Sequence, residues 1–196
     1  IEGIIEGAGH SAEDIRRFCT FLIPYQDDRY FSMKTGYFLS LLVNRSQDRI
    51  FSIETKHLDQ PIDNIGFEND GKIIHVNGDV GEMAGLRMKS GTLHVHGNAR
   101  NDVGRWLGGG SIIVEGDSEF SAGNKMEEGT LLIYGNTGSE LGKEMKGGII
   151  IVIGDAAGDV GRWMKAGTIS VDGEIGSFYR YGNDALVRIL HRGILQ

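Results

Sequence analysis

The stretch GNTGSELGKEMKGGIIIVI at residues 135–153 is followed by GDAAGDVGRWMKAGTISVD at residues 154–172, and the two align without a gap. Each opens on Gly followed by Asn or Asp, carries Gly, Met and Gly at the same interior places, and closes in an aliphatic run. Working outward, Gly78, Gly97, Gly116, Gly135, Gly154 and Gly173 stand 19 residues apart. A second column is Gly85, Gly104, Gly123, Gly142 and Gly161, and a third is Gly91, Gly110, Gly129, Gly148 and Gly167. A fixed period of this length marks a repeat architecture.

The apolar residues keep the same frame. One column reads Ile74, Leu93, Ile112, Leu131, Ile150, Ile169, and two residues on runs Val76, Val95, Val114, Ile133, Val152, Val171. A spacing of two puts both columns on one face of a strand. Small residues follow (Val80, Ala99, Ser118, Thr137, Ala156), then Ala84, Val103, Ala122, Leu141, Val160, then Met88, Leu107, Met126, Met145, Met164. Short strands with inward aliphatics, turned at glycine corners, describe a coil stacked on its copies. Helical repeats do not fit, because each interior glycine costs a helix about 1 kcal/mol. A leucine-rich signature is absent, and 19 is not a multiple of the six-residue period of left-handed solenoids. The expected fold is therefore all-β: a single-stranded, right-handed parallel β-helix, the hand following the usual crossover preference.

Composition bounds the function. Glycine supplies 31 of 196 residues, against a usual ~7%, and its regular spacing excludes both collagen and low complexity. The formal charge of −7 argues against non-specific nucleic-acid binding. No run approaches the roughly 18 apolar residues of a membrane span, and none has signal-peptide form. Cys19 is the only cysteine, which removes an internal disulfide, a cysteine zinc site and an iron–sulfur cluster. These features predict a cytoplasmic protein with neither nucleic acid nor membrane as partner; the partners expected, on the surface residues and the resemblance given below, are protein subunits or a homo-oligomer.

An open solenoid needs caps. Residues 1–65 are expected to cap one end, 66–177 to form the β-helix, and 178–196 to cap the other. Ser11 to Asp14 resembles a capping box, Ile15, Phe18, Cys19 and Leu22 follow at helical spacing, and Pro24 stops the helix. Alternation of Tyr37, Leu39, Leu41 and Val43, then Ile50 to Ile53, predicts a hairpin. A degenerate coil is expected to begin near residue 55. Asn183 and Asp184 predict the cap of a C-terminal helix containing Leu186, Val187 and Leu190 and ending at Gly193.

The pattern Gly-Asn/Asp-x-x-x-x-x-Gly-x-x-Met-x-x-Gly, clearest over Gly135 to Gly148 and Gly154 to Gly167, resembles the GXGXG repeat family. That family includes the C-terminal β-helix domain of the glutamate synthase large chain and the β-helical component of formylmethanofuran dehydrogenase. The resemblance covers residues 66–177; the first 60 residues match neither relative. It implies a scaffold packed against the catalytic parts of an oxidoreductase, in glutamate synthase a spacer beside the ammonia route. It supplies no catalytic residue and no cofactor to carry over, only the glycine and methionine columns.

Several positions have two readings. His75 and His94 share a column, with His96 two residues on; they are either metal ligands or an outward ladder of partly exposed histidines. Asp79, Asn98, Asp117, Asn136, Asp155 and Glu174 form either a calcium-binding ladder or a ladder of turns. The outward residues Ile113, Leu132 and Ile151, with Tyr134 and Ile153, make an apolar stripe expected to be an interface, covered by the N-terminal region or by another subunit. Arg105-Trp106 and Arg162-Trp163 are hot-spot pairs or surface cation–π contacts. Gly138 to Glu144 departs from a phosphate loop in spacing and lacks its Ser/Thr. The alternative to a scaffold is a protein acting on an extended polymer along the rod's flank.

Overall fold

The computed structural model describes residues 11–179 and 187–195. Their organising element is a parallel β-solenoid. Its strands are β1 (Ile50–Glu54), β2 (Ile73–Asn77), β3 (Thr92–Val95), β4 (Ser111–Val114), β5 (Thr130–Ile133), β6 (Ile149–Val152), β7 (Gly167–Val171) and β8 (Val187–His191). Each pairs parallel with the next, which makes about seven turns of coil. From β2 to β7 the partners stand 19 residues apart, as in Ile74 with Leu93 and Leu93 with Ile112. The first coil is longer, since Ile50 pairs with Ile73, and the last adds one residue, since Gly167 pairs with Val187.

Every residue of the five apolar columns is buried, none more than 8% exposed. Alternation along β2 to β6 sends one residue into the core and the next outward. The glycine columns answer two needs. At Gly142 the backbone has φ +67°, a conformation that penalises a Cβ. At Gly135 φ is ordinary, but a Cβ would overlap Asp117 Oδ1 and the backbone of Gly116 in the coil below. Left-handed backbone also recurs without glycine, at Met83, Asp102, Ser121, Glu140 and Asp159.

The N-terminal residues close one end of the rod. In helix α1 (Ala12–Thr20) the Ser11 side chain accepts the Asp14 N–H, and the Asp14 carboxylate accepts the Ser11 N–H. Ile15, Cys19 and Leu22 join the core beside Phe51 and Ile53. Helix α2 (Phe31–Arg45) lies along residues 61–68 of the first coil. That coil has no coil before it, so its backbone groups need other partners. Ser32 Oγ donates to Pro61 O at 2.8 Å and accepts from Asp63 N at 2.9 Å. Ser40 Oγ donates to Asn64 O and accepts from Gly66 N, both at 3.0 Å, and Asn44 Nδ2 donates to Phe67 O at 3.1 Å. Gly36 permits this approach, since a Cβ there would overlap the Asp63 carbonyl oxygen.

Three expectations need correction. The predicted hairpin is half wrong: Tyr37, Leu39, Leu41 and Val43 lie in α2, whose buried residues Phe31, Thr35, Leu39, Leu42 and Val43 follow helical spacing. Its second half, Ile50 to Ile53, is a strand, but it is the first rung of the rod, so the solenoid starts at residue 50 rather than near 55 or at 66. The predicted C-terminal helix is replaced over its described part by β8, because the open edge of β7 offers a row of backbone partners. Arg192 and Gly193, with φ 50° and 76°, then turn the chain into β9 (Ile194–Leu195), antiparallel to β8. Asn183, Asp184 and Leu186 lie outside the described residues. No described helix is long and apolar enough to cross a membrane.

Candidate functional site

The register places His75 of β2 directly opposite His94 of β3, both on the outer face. His96 follows His94 by two residues and so shares its side. The three imidazoles form one cluster. One nitrogen from each lies within 4.8 Å of the others. The His94 and His96 ring centres are 4.0 Å apart, and His75 stacks on His96 with planes 7° apart. His75 Nδ1 is 3.3 Å from His96 Nε2.

Glu115 completes the group. Its Oε1 lies 2.8 Å from His96 Nδ1 and 3.0 Å from His94 Nε2, and accepts a hydrogen bond from each. These bonds, that to His96 foremost, hold the Glu115 carboxyl below its ordinary range. Burial, and then the charge of His94 and His96, push the His75 pKa down. Sequence reasoning missed Glu115, although it sits 19 residues after His96 in the same outward column. His75 and His96 also line an open cleft of about 380 Å³ between α1 and β1–β2, whose walls include Glu13, Arg16, Ser52 and Asn77.

The second feature is the outer face of β4–β6. Ile113, Leu132 and Ile151 stand side by side in register and are half-buried. Around them Tyr134 is 52% exposed, Ile149 45% and Ile153 43%. The described N-terminal residues make their contacts at the end of the rod, with β1 and residues 55–72, so they do not cover this face.

The remaining positions have structural partners. Along the Asp/Asn ladder each Oδ1 accepts the backbone N–H of its successor: Asp79 from Asn98 at 2.7 Å, Asn98 from Asp117 at 2.9 Å, and on to Glu174. That is the turn ladder, with its oxygens occupied by backbone. Arg105 lies 4.5 Å over the Trp106 ring and Arg162 4.2 Å over Trp163, which are surface cation–π pairs. Lys143, the lysine of the loop-like Gly138 to Glu144 segment, is ion-paired to Glu140 at 2.8 Å.

No family model matches the chain, and no curated protein matches it. The fold defines a parallel β-solenoid, and the resemblance to GXGXG repeats rests on its glycine and methionine columns alone.

Proposed function

We propose that this protein is a non-catalytic scaffold, one chain of a larger assembly, that docks a different protein on the outer face of β4–β6. One observation carries the reading: a contiguous apolar sheet face that the described residues of the chain leave open. Sheet faces in contact with water ordinarily alternate toward polar residues, and apolar patches of this kind mark interaction sites. A second copy is the less favourable occupant, since each chain has a formal charge of −7 and self-association would bring like charges together. The resemblance to GXGXG repeats supports an oxidoreductase of the glutamate synthase or formylmethanofuran dehydrogenase kind as the assembly. The reading takes the coil as right-handed with a 19-residue repeat, and the protein as cytoplasmic. The polymer-flank alternative is less favoured, because the Asp/Asn ladder it would draw on is engaged in holding the backbone.

The test is Leu132→Asp, which sets a charge in the middle of the face. A folded variant that has lost its partner supports the reading. A folded variant that keeps its partner refutes it.

A further inference from the structure

We propose that His75, His94 and His96 form a three-histidine site for a single divalent zinc-class ion, with Glu115 as the carboxylate that orients two of the rings. Parallel pairing stacks His75 on His94, and the two-residue period of the strand brings His96 to the same side. Three rings thereby converge from two adjacent coils, on backbone paired with β1 on one side and β4 on the other, which is the rigid support a metal site needs.

The hydrogen bonds then decide which nitrogens are free. Glu115 Oε1 accepts from His96 Nδ1, so a neutral His96 carries its lone pair on Nε2. His75 Nδ1 lies 3.3 Å from that nitrogen, within hydrogen-bond distance of it. Two nitrogens about 2.0–2.1 Å from a tetrahedral ion stand roughly 3.3–3.4 Å apart. The pair thus has the spacing of one edge of a zinc coordination tetrahedron. A carboxylate bonded to the far nitrogen of a ligating histidine is the recurrent outer partner in such sites.

The donor set selects the ion. Three imidazoles suit zinc, copper or nickel, whereas calcium and magnesium take oxygen. His75 and His96 line the open cleft beside α1, which gives water access to a fourth position. The site adjoins the docking face, since His94 of β3 pairs with Ile113 of β4, but metal binding and docking are read by different variants and different measurements.

The experiment is a Co²⁺ titration of the intact chain, followed by displacement with Zn²⁺ and by calorimetry. The expected result is the visible absorption of tetrahedral Co²⁺, saturating at one equivalent and abolished by Zn²⁺. His96→Gln should remove it, and Glu115→Gln should weaken Zn²⁺ binding about 10–100-fold. His191→Gln, at the other end of the rod, should leave both unchanged. Circular dichroism confirms folding, and His94→Asn replaces His96→Gln if that variant unfolds. A wild type with no tetrahedral signal, or one that binds Zn²⁺ no more tightly than its ligand variants, overturns the proposal and leaves a hydrogen-bonded histidine cluster.

Discussion

Asn136 Oδ1 accepts the backbone N–H of Asp155 at 2.9 Å, one coil further along the rod. Asp117 stands behind it in the same relation to Asn136, at 2.7 Å. A neutral acceptor between two carboxylates keeps the hydrogen bond and spaces the charges. Asn136→Ala should therefore lose about 0.5–1.5 kcal/mol, independent of salt. Asn136→Asp keeps the acceptor but stacks three carboxylates, so its loss should shrink as salt screens them. Urea titrations at low and high salt separate the two; the same salt response in both variants would contradict the ladder's logic.

The corners should be less tolerant than the core. Gly142 has φ +67°, and a side chain there would also meet Ile169 Cδ1. Met145, fully buried three residues on, belongs to a column that already contains Leu107. Met145→Leu should cost under ~1.5 kcal/mol, and Gly142→Val several times more. Equal losses in a urea titration would refute the corner assignment.

Glu140 joins three successive coils. It accepts from Ser121 Oγ at 3.1 Å, Lys143 Nζ at 2.8 Å and Arg162 Nη1 at 2.7 Å. The Lys143 bond first, then that of Ser121 and the charges of Lys143 and Arg162, hold its pKa below the ordinary 4.5. A folded pKa below the unfolded one contributes stability that is present above about pH 4.5 and lost as pH falls through the folded value. Glu140→Gln should thus be less stable than wild type at pH 7, and the gap should narrow below pH 4.5. A gap that stays constant down to pH 3 would contradict the network.

Cys19 is fully buried in α1, and burial pushes its pKa up to about 11. A thiol reagent at pH 8 should react slowly with the native protein and at an ordinary rate in urea. Fast native reaction would mean that α1 does not stay docked on β1.

The solenoid was legible because two periods coincide: every second residue along a strand and every nineteenth along the chain point inward. Ile74 and Val76 recur in each coil, so no single ambiguous residue decides the reading. Helix α2 was not legible. Its buried set includes Phe31, Leu39, Leu42 and Val43, while Tyr37 and Met33 remain 38% and 43% exposed. Apolar residues on both faces blur the helical period and let the Tyr37 to Val43 alternation imitate a strand. Met83, Asp102, Ser121, Glu140 and Asp159 share a left-handed backbone but no chemistry, so their column leaves no trace in composition. The histidine cluster was half legible: stacking brings His75 and His94 together, but the role of Glu115 depends on side-chain directions that spacing alone does not fix.

On the proposed reading, the face centred on Leu132 docks a different protein chain. The direct measurement is photo-cross-linking in the native source, with a photoreactive residue in place of Tyr134, alone and combined with Leu132→Asp. The expected result is one stoichiometric cross-linked partner, unlike this chain, and its loss from a Leu132→Asp protein whose circular dichroism is unchanged. A cross-link to a second copy, no cross-link at all, or a partner retained by Leu132→Asp would contradict it.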